Sequence, residues 1–288
     1  MAALLSSSAL SAVEPVIYKD ELYQQQKIAK LNTLPDSLNF MVIGDWGHNG
    51  HFYQKEVAHQ LEIAMYQTDA DFIVSTGDNF YPNGVASVND PLWQSAFENI
   101  YHGPHTFEDW YVVLGNHDYC DYVGWKRSSE KWKNNFNNMI ETHEKMGFKL
   151  LLNESIKVNA GNSKINLVGV ENWGAGNFNK DGDLSKAMLD VDNSIPTILL
   201  SHDPSHWTAE VLDFSKRIDL QLAGHTHGMQ FGIDIPGIKW SPVQWRYKQW
   251  SGLYKDKSNK YIYVNTGVGN LAYAGRVGIM PEISVLNL

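Results

Sequence analysis

Seven side chains of types that bind metal ions follow short apolar runs at separate places in the sequence. They are Asp45, Asp78, Tyr81, Asn116, His202, His225 and His227. A carboxylate can bridge two cations that lie about 3.5–4 Å apart, and imidazole nitrogens suit zinc, iron or manganese. Taken singly, each residue has a simpler explanation as a turn, a helix cap or a core residue. All seven together predict a site for two metal ions that share a bridge.

Two of the motifs indicate how the ligands divide between the two ions. In the stretch Gly77–Tyr81 the tyrosine can reach the same ion as Asp78 from the following turn, which makes Asp78 the better candidate for the bridge. In the stretch Gly224–His227 the histidines are two residues apart, and an extended segment places such residues on one side. Each histidine can therefore serve a different ion.

Short apolar runs alternate with helix-like stretches over most of the chain. The runs that read as strands lie at 39–43, 71–75, 110–114, 165–170, 196–200, 218–222, 261–264 and 283–286, and the helical patterns at 57–65, 92–100, 126–146 and 183–191. This alternation predicts an α/β layered domain. Ligands gather at the carboxyl ends of strands in open α/β sheets, so five strand ends are expected to converge on one site.

The composition is that of a folded domain with a sizeable core. Of the 288 residues, 43% are hydrophobic and 19% are charged. The net charge of −9 argues against a general nucleic-acid binder. It does not argue against a phosphorylated substrate, because bound cations would dominate the local field. Cys120 is the only cysteine, so an internal disulfide framework and a thiolate metal site are excluded.

The first 37 residues differ from the rest of the chain. Residues 1–13 are small and apolar and read either as a secretion signal or as a disordered leader, and residues 14–37 read as a polar surface arm. We therefore divide the chain into a leader and arm at 1–37 and a catalytic domain at 38–288. No run reaches the ~18 apolar residues of a membrane span. A periplasmic or secreted location is slightly favoured, and the oligomeric state is not predicted.

The combined motifs resemble those of the calcineurin-like metallophosphoesterase superfamily over about residues 39–288. Most of that superfamily has a histidine two residues after the first aspartate, but here the motif is Asp45-Trp46-Gly47. The purple acid phosphatases, including the tartrate-resistant type, share this loss and have a tyrosine three residues after the bridging aspartate. Tyr81 stands at that position. The resemblance implies two packed mixed β-sheets flanked by helices.

The resemblance also implies a role for each site residue. Asp45, Asp78, Tyr81 and His227 would hold a first ion, Fe(III), whose hard character suits oxygen ligands. A second divalent ion, Fe(II), zinc or manganese, would be held by Asp78 and by three further residues, which are Asn116, His202 and His225.

The two residues that follow Asn116 in the sequence are candidates for catalytic roles. His117 would contact the phosphate or protonate the leaving oxygen. Asp118 either orients His117 or caps the turn as a carboxylate, and both roles stay open.

From about Gly115 onward, the sequence resembles a different branch, that of bacterial membrane-associated metallophosphoesterases. Stretches such as 201–207, 228–232 and 263–267 carry this second likeness. The chain therefore reads as a composite, either a natural hybrid subfamily or an engineered chimera. The stretch 235–250 holds three tryptophans with interleaved Lys and Arg, so it either contacts a membrane interface or covers a sheet edge as a long aromatic loop.

Together these observations predict a phosphoesterase with two metal ions that hydrolyses small phosphomonoesters through attack by metal-bound hydroxide. One alternative is a phosphodiesterase or pyrophosphatase that acts on nucleotide or lipid headgroups. Another is a metal-binding scaffold without enzyme activity on the same fold.

Overall fold

The structure is a computed structural model that describes residues 20–26, 28, 31, 37–120, 124–160, 163–271 and 273–288. The strands are β1 Asn39–Ile43, β2 Phe72–Ser75, β3 Asp109–Val112, β4 Phe148–Leu150, β5 Glu154–Ala160, β6 Ser163–Gly169, β7 Thr197–Leu200, β8 Leu220–Ala223, β9 Ile233–Ile235, β10 Ile238–Trp240, β11 Gly252–Lys255, β12 Tyr261–Val264 and β13 Ser284–Asn287. The expectation of a signal or leader at 1–13 lies outside the described residues.

The helices are fewer and mostly shorter than a typical α/β domain would have. They are α1 Asp20–Gln25, α2 Gln54–Thr68, α3 Glu130–Lys145 and α4 Leu184–Ala187, with π-helical turns at Trp93–Glu98 and Trp207–Val211 and 3₁₀ turns at Pro104–Thr106, His227–Gln230 and Pro242–Trp245. None of the helices in the described ranges has the length and apolar character that crossing a bilayer requires.

The described strands form two large mixed sheets and one small hairpin. The first sheet has the order β13-β1-β2-β3-β4, the second has the order β11-β12-β8-β7-β6-β5, and β9 pairs with β10. Strands at the centre of each sheet run parallel, whereas β13, β5 and β11 pair antiparallel with their neighbours. Parallel strands place their carboxyl ends at one edge, so the loops after β1, β2 and β3 share one side of the first sheet.

Alternate residues of the central strands pack into different layers. Phe40 and Val42 of β1 pack with residues of β6 and β7 between the two sheets. Met41 and Ile43 of the same strand pack on the opposite face, with residues of α2 and α3. This burial on both faces explains why the strand reads as a continuous apolar run.

The outer face of the second sheet is covered by short helical segments. Leu184 and Ala187 of α4 and Trp207 of a π-helical turn pack there against residues of β7, β8 and β12. The fold class expected from the sequence, two packed mixed β-sheets flanked by helices, is confirmed, with a thin helical layer on this side.

Helix α1 lies on the surface within the stretch expected to form a polar arm. Its Tyr23 is buried, donates a hydrogen bond of 2.8 Å to Glu62 Oε1 of α2, and stacks on Tyr66 with ring centroids 4.6 Å apart. Together with hydrogen bonds from Gln67 Nε2 to Tyr23 O and Gln26 O, this aromatic side chain attaches this part of the arm to the first helical layer.

Candidate metal centre

The predicted ligands lie in sharp turns directly after strands, with strained backbones. Asp45, Asp78, His225 and His227 all have positive φ angles, of 53°, 52°, 70° and 48°. Non-glycine residues adopt this left-handed region at a cost of about 1–3 kcal/mol each, and such strain persists only where surrounding contacts hold it. Thirteen described non-glycine residues have positive φ angles, and four of them are predicted ligands, which supports a functional site here.

Two glycines allow the turns to approach each other. A Cβ on Gly115 would overlap the carboxylate of Asp78, and a Cβ on Gly224 would overlap the carboxylate of Asp45. Each turn therefore needs glycine so that backbone from one strand end can meet a carboxylate from another. This explains why the site motifs of the sequence begin with Gly.

The first group of ligands surrounds the phenol oxygen of Tyr81. This oxygen lies 3.4 Å from Asp45 Oδ1, 3.2 Å from Asp78 Oδ2 and 3.1 Å from His227 Nε2. His227 Nε2 also lies 3.2 Å from Asp45 Oδ1. Ligand atoms around one ion, with bonds of about 2.0–2.2 Å, are separated by about 3 Å. The four side chains fit the donor set of one cation.

The second group of ligands shares Asp78 with the first. His202 Nε2 lies 3.2 Å from Asp78 Oδ2, and ligand atoms of Asp78, His202 and His225 lie within 4.8 Å of one another. The other ring nitrogen of His202, Nδ1, donates to Thr76 O at 2.8 Å. Such a contact fixes the imidazole orientation and leaves Nε2 for a metal ion.

His225 is held by two side chains that the sequence did not single out. Its Nε2 lies 2.8 Å from the hydroxyl of Tyr247 and 3.6 Å from Asp203 Oδ2. The two oxygens also contact each other at 3.4 Å. A carboxylate and a hydroxyl on one imidazole nitrogen orient the ring and leave Nδ1 as the ligand atom. Asn116 is buried and lines the same cavity as Asp78 and His225.

The charges at the site suit cations. Burial alone would raise the pKa of Asp78, but the His202 and His117 rings hold that pKa below its usual range. Burial would lower the pKa of His202, yet the negative charge of Asp78 raises it to about 10. The pKa of Tyr81 is raised well above its usual range by burial and by the charges of Asp78 and Asp45. A bound cation would displace these protons and stabilise the phenolate and carboxylates together.

The structure places His117 beside the ligands with one ring nitrogen engaged. Its Nδ1 donates to Pro82 O at 2.9 Å, its backbone N–H donates to Asp78 Oδ1 at 2.8 Å, and its ring lies 4.5 Å from that of Tyr81. A carbonyl can only accept, so Nδ1 carries the proton of this hydrogen bond. His117 lines the cavity described below.

Asp118 caps backbone donors of its own turn and of the turn that follows β2. Its buried carboxylate accepts from the backbone N–H groups of Gly115 at 2.9 Å, Asn79 at 2.9 Å and Phe80 at 3.1 Å. Burial and the charge of Asp78 raise its pKa to about 7, against the lowering effect of these hydrogen bonds. Of the two roles that the sequence left open, these contacts match the turn cap, and the orienting role stays a prediction.

Two further residues border the first group of ligands. The ring of His48 stacks on Tyr81 at 4.1 Å and accepts a hydrogen bond from the backbone N–H of Asn270 at 3.3 Å. Burial, followed by the His227 and His117 charges, lowers the pKa of His48 to about 4, so the ring is neutral. Arg276 Nη2 lies 3.4 Å from Nδ1 of His227. No sequence signal pointed to Arg276, because it lies 49 residues after His227, the last of the predicted ligands.

A cavity of about 680 Å³ opens beside the ligands. The metal-binding candidates Asp78, Asn116, His225 and His227 form part of its lining together with His117. The 3₁₀ turn Pro242–Trp245 and the two residues after it form another part, which places the centre of the aromatic stretch 235–250 at the site. Contact of that stretch with a membrane stays a prediction.

Comparison with protein families gives one match over most of the chain. The family model described as calcineurin-like phosphoesterase matches residues 38–229. Among solved structures, that of GAP50, the anchor in the inner membrane complex of Plasmodium, superposes with a TM-score of 0.54 at 17% identity, covering 82% of this chain and 73% of that one. An identity this low shows a common fold alone.

Similar curated proteins match only part of the sequence. Purple acid phosphatase 7 of Arabidopsis thaliana is 52% identical over 83 residues, which are 29% of this chain and 25% of the relative. Tartrate-resistant acid phosphatase type 5 of Homo sapiens is 38% identical over 106 residues, which are 33% of each chain. The chain therefore spans between a quarter and a third of the length of these relatives. The likeness to a bacterial membrane-associated branch stays a prediction.

Proposed function

Since the chain belongs to the calcineurin-like phosphoesterase family, we propose that it is a metal-dependent phosphatase that hydrolyses small phosphomonoesters. The observation that carries this proposal is the meeting of Asp45, Asp78 and His227 around the phenol oxygen of Tyr81, at 3.1–3.4 Å. The partial matches to purple acid phosphatases support the choice of monoesters.

The two donor groups define which residues would hold each ion. Asp45, Asp78, Tyr81 and His227 would hold Fe(III), because three of these four donors are oxygen atoms. The second ion, Fe(II), zinc or manganese, would be held by Asp78 and by three residues of the second group, which are Asn116, His202 and His225. When bound, the ions supply positive charge that orients phosphate oxygens and lowers the pKa of water.

His117 is the group that we assign to the leaving oxygen. Its Nδ1 proton is held by Pro82 O at 2.9 Å, so the ring cannot turn away from the cavity without losing this hydrogen bond. The other ring nitrogen, Nε2, can bind a phosphate oxygen or, when protonated, donate that proton to the departing alcohol. Asp118 acts indirectly, because it holds the turns that carry Asp78 and His117.

Parallel assays test the proposed reaction. We expect the metal-loaded protein to release phosphate from aryl and alkyl monoesters, with a much lower kcat/KM for bis-esters and pyrophosphate. A large preference for the diester or for pyrophosphate would contradict the monoester assignment and support the phosphodiesterase or pyrophosphatase alternative. Absence of turnover with both ions bound would indicate a metal-binding scaffold. Asp213→Asn, an exposed substitution, serves as the control variant.

A further inference from the structure

The wall of the cavity beyond the metal ligands is almost entirely apolar. It is built by Phe178, Met229, Pro242, Val243, Trp245 and Leu271. The ring of Phe178 packs edge-on against the ligand His225, with centroids 5.1 Å apart. The apolar wall therefore begins directly beside the place where phosphorus would be held.

The two hydroxyl groups in this part of the cavity are already engaged, and the guanidinium of Arg246 is engaged through one of its five N–H donors. The hydroxyl of Thr226 donates to Trp250 O at 2.7 Å, and that of Tyr247 contacts His225. Arg246, the charged lining residue outside the ligand group, donates to Ala175 O at 3.0 Å. A sugar or another hydroxylated leaving group would find few partners on this wall and would lose hydrogen bonds to water.

The cavity is also larger than a phosphate group requires. Its volume of about 680 Å³ lies in the range of roughly 300–1,000 Å³ that is typical of sites for whole organic ligands. The space beyond the phosphate is thus available to the group that the phosphate esterifies.

The mouth of the cavity continues as an exposed apolar surface. Met229, Leu271 and Trp245 are 45%, 36% and 78% exposed. The ring centroid of Trp245 lies 6.5 Å from that of Trp240 on strand β10, and the ring centroid of Trp240 lies 6.2 Å from that of Phe231. A contiguous row of exposed aromatic side chains is the kind of surface that marks a binding site, and this row leads out of the cavity.

We infer that this wall binds the leaving group of the substrate, and that the group is a bulky apolar alkyl or aryl moiety. The inference rests on the proposed phosphomonoester hydrolysis and adds the class of substrate. Apolar contact with Phe178 and Leu271 stabilises the ester by removing its alkyl or aryl surface from water. Such a group could come from a soluble ester or from a lipid phosphate in a membrane, because the chemistry of the wall is the same for both.

A series of n-alkyl phosphates tests the inference, because their alcohols differ little in acidity while their apolar surface grows. From ethyl to octyl phosphate we expect kcat/KM to rise by up to about fourfold for each methylene that is fully buried. The rise in kcat/KM should come mainly from a lower KM, since the contacts exist before the reaction begins. The kcat/KM for glycerol phosphate, which has a hydroxylated leaving group, should be lower than that for propyl phosphate.

Variants of the wall connect the effect to this cavity. Phe178→Ala and Leu271→Glu are expected to flatten the dependence of kcat/KM on chain length, so that octyl phosphate loses more than ethyl phosphate. Phe107→Ala, which removes a 74% exposed aromatic side chain outside this cavity, is the matched control and should retain the full dependence. A flattened dependence in the control as well would overturn the assignment to this wall.

The outcomes separate the inference from the function on which it rests. If neither alkyl nor aryl monoesters release phosphate, the proposed function fails. If they do, but kcat/KM is independent of chain length or glycerol phosphate is preferred, the function stands and the apolar site is overturned. Comparing monomeric octyl phosphate with hexadecyl phosphate in phosphatidylcholine vesicles then separates the sources. Faster turnover of the vesicle substrate supports a lipid source, and faster turnover of the monomer supports a soluble one.

Discussion

Replacing Asp118 with asparagine removes one of two buried oxygens that together accept from four donors. Oδ1 accepts from the backbone N–H groups of Asn79 and Phe80, and Oδ2 accepts from that of Gly115 at 2.9 Å and from Asn79 Nδ2 at 3.3 Å. If the amide oxygen takes the place of Oδ1, the new NH₂ group faces two donors. The N–H of Gly115 and the new NH₂ group then lack acceptors, whereas Asn79 Nδ2 keeps its hydrogen bond to Val113 O at 2.9 Å.

The magnitude follows from these lost hydrogen bonds. Each unsatisfied buried group costs about 1–3 kcal/mol. Removal of a buried negative charge beside Asp78, the charge that helps raise the pKa of Asp118 to about 7, offsets part of the cost. We expect Asp118→Asn to lower the free energy of unfolding by about 2–4 kcal/mol, within the range known for broken buried networks.

Urea unfolding with matched variants measures this effect. Asp213→Asn changes the same charge at an exposed position and should stay within about 0.5 kcal/mol of the original protein. Asp118→Asn should also lower activity through displaced turns, without a change in the pKa values of the pH–rate profile. The reasoning is refuted if Asp118→Asn is as stable as the control and instead shifts the profile, because Asp118 would then act on His117 directly.

Three more predictions concern other side chains. His117→Ala is expected to lower kcat by about 10²- to 10⁴-fold at unchanged metal content, and an equal loss of bound metal would contradict its assignment to the leaving group. Tyr247→Phe removes the hydroxyl 2.8 Å from His225, so calorimetry should show about 10- to 100-fold weaker binding of the second ion; unaltered affinity would exclude the positioning role. Burial lowers the pKa of His143 to about 4. The stability that its neutral ring contributes is therefore fully present above pH 6.5. As the pH falls towards 4, the free energy of unfolding should decrease by about 3 kcal/mol. His143→Phe should remove this slope in urea unfolding, and a persistent slope would locate the titration elsewhere.

The strands that the sequence predicted are mostly those buried on both faces. Strands β1 and β7 read as continuous apolar runs because each packs between two layers. The predictions missed β5, which lies at the edge of the second sheet and alternates apolar with polar residues. The β9–β10 hairpin was missed too, since every residue of both strands is exposed. Strands β4 and β11 were missed as well, because they are short and lie at sheet edges.

The site was predictable where a residue belongs to a local motif. Asp78 and Tyr81 are recognisable in the sequence by their spacing of three residues. In the structure the phenol oxygen of Tyr81 lies 3.2 Å from Asp78 Oδ2. Asp203, Tyr247 and Arg276 contribute by contacts between distant parts of the chain, which spacing does not reveal. Asp203 directly follows His202, a predicted ligand, and only that adjacency offered a signal.

We propose that Tyr81 binds one of two metal ions held by this centre. Metal analysis of the purified protein combined with its visible spectrum tests the claim most directly. The account predicts two ions per chain, with iron at the first site, and a tyrosinate charge-transfer band that Tyr81→Phe abolishes while the fold, followed by circular dichroism, is retained. A colourless, active and iron-free protein would contradict the ferric assignment, and a band that persists in Tyr81→Phe would contradict the ligand role of Tyr81.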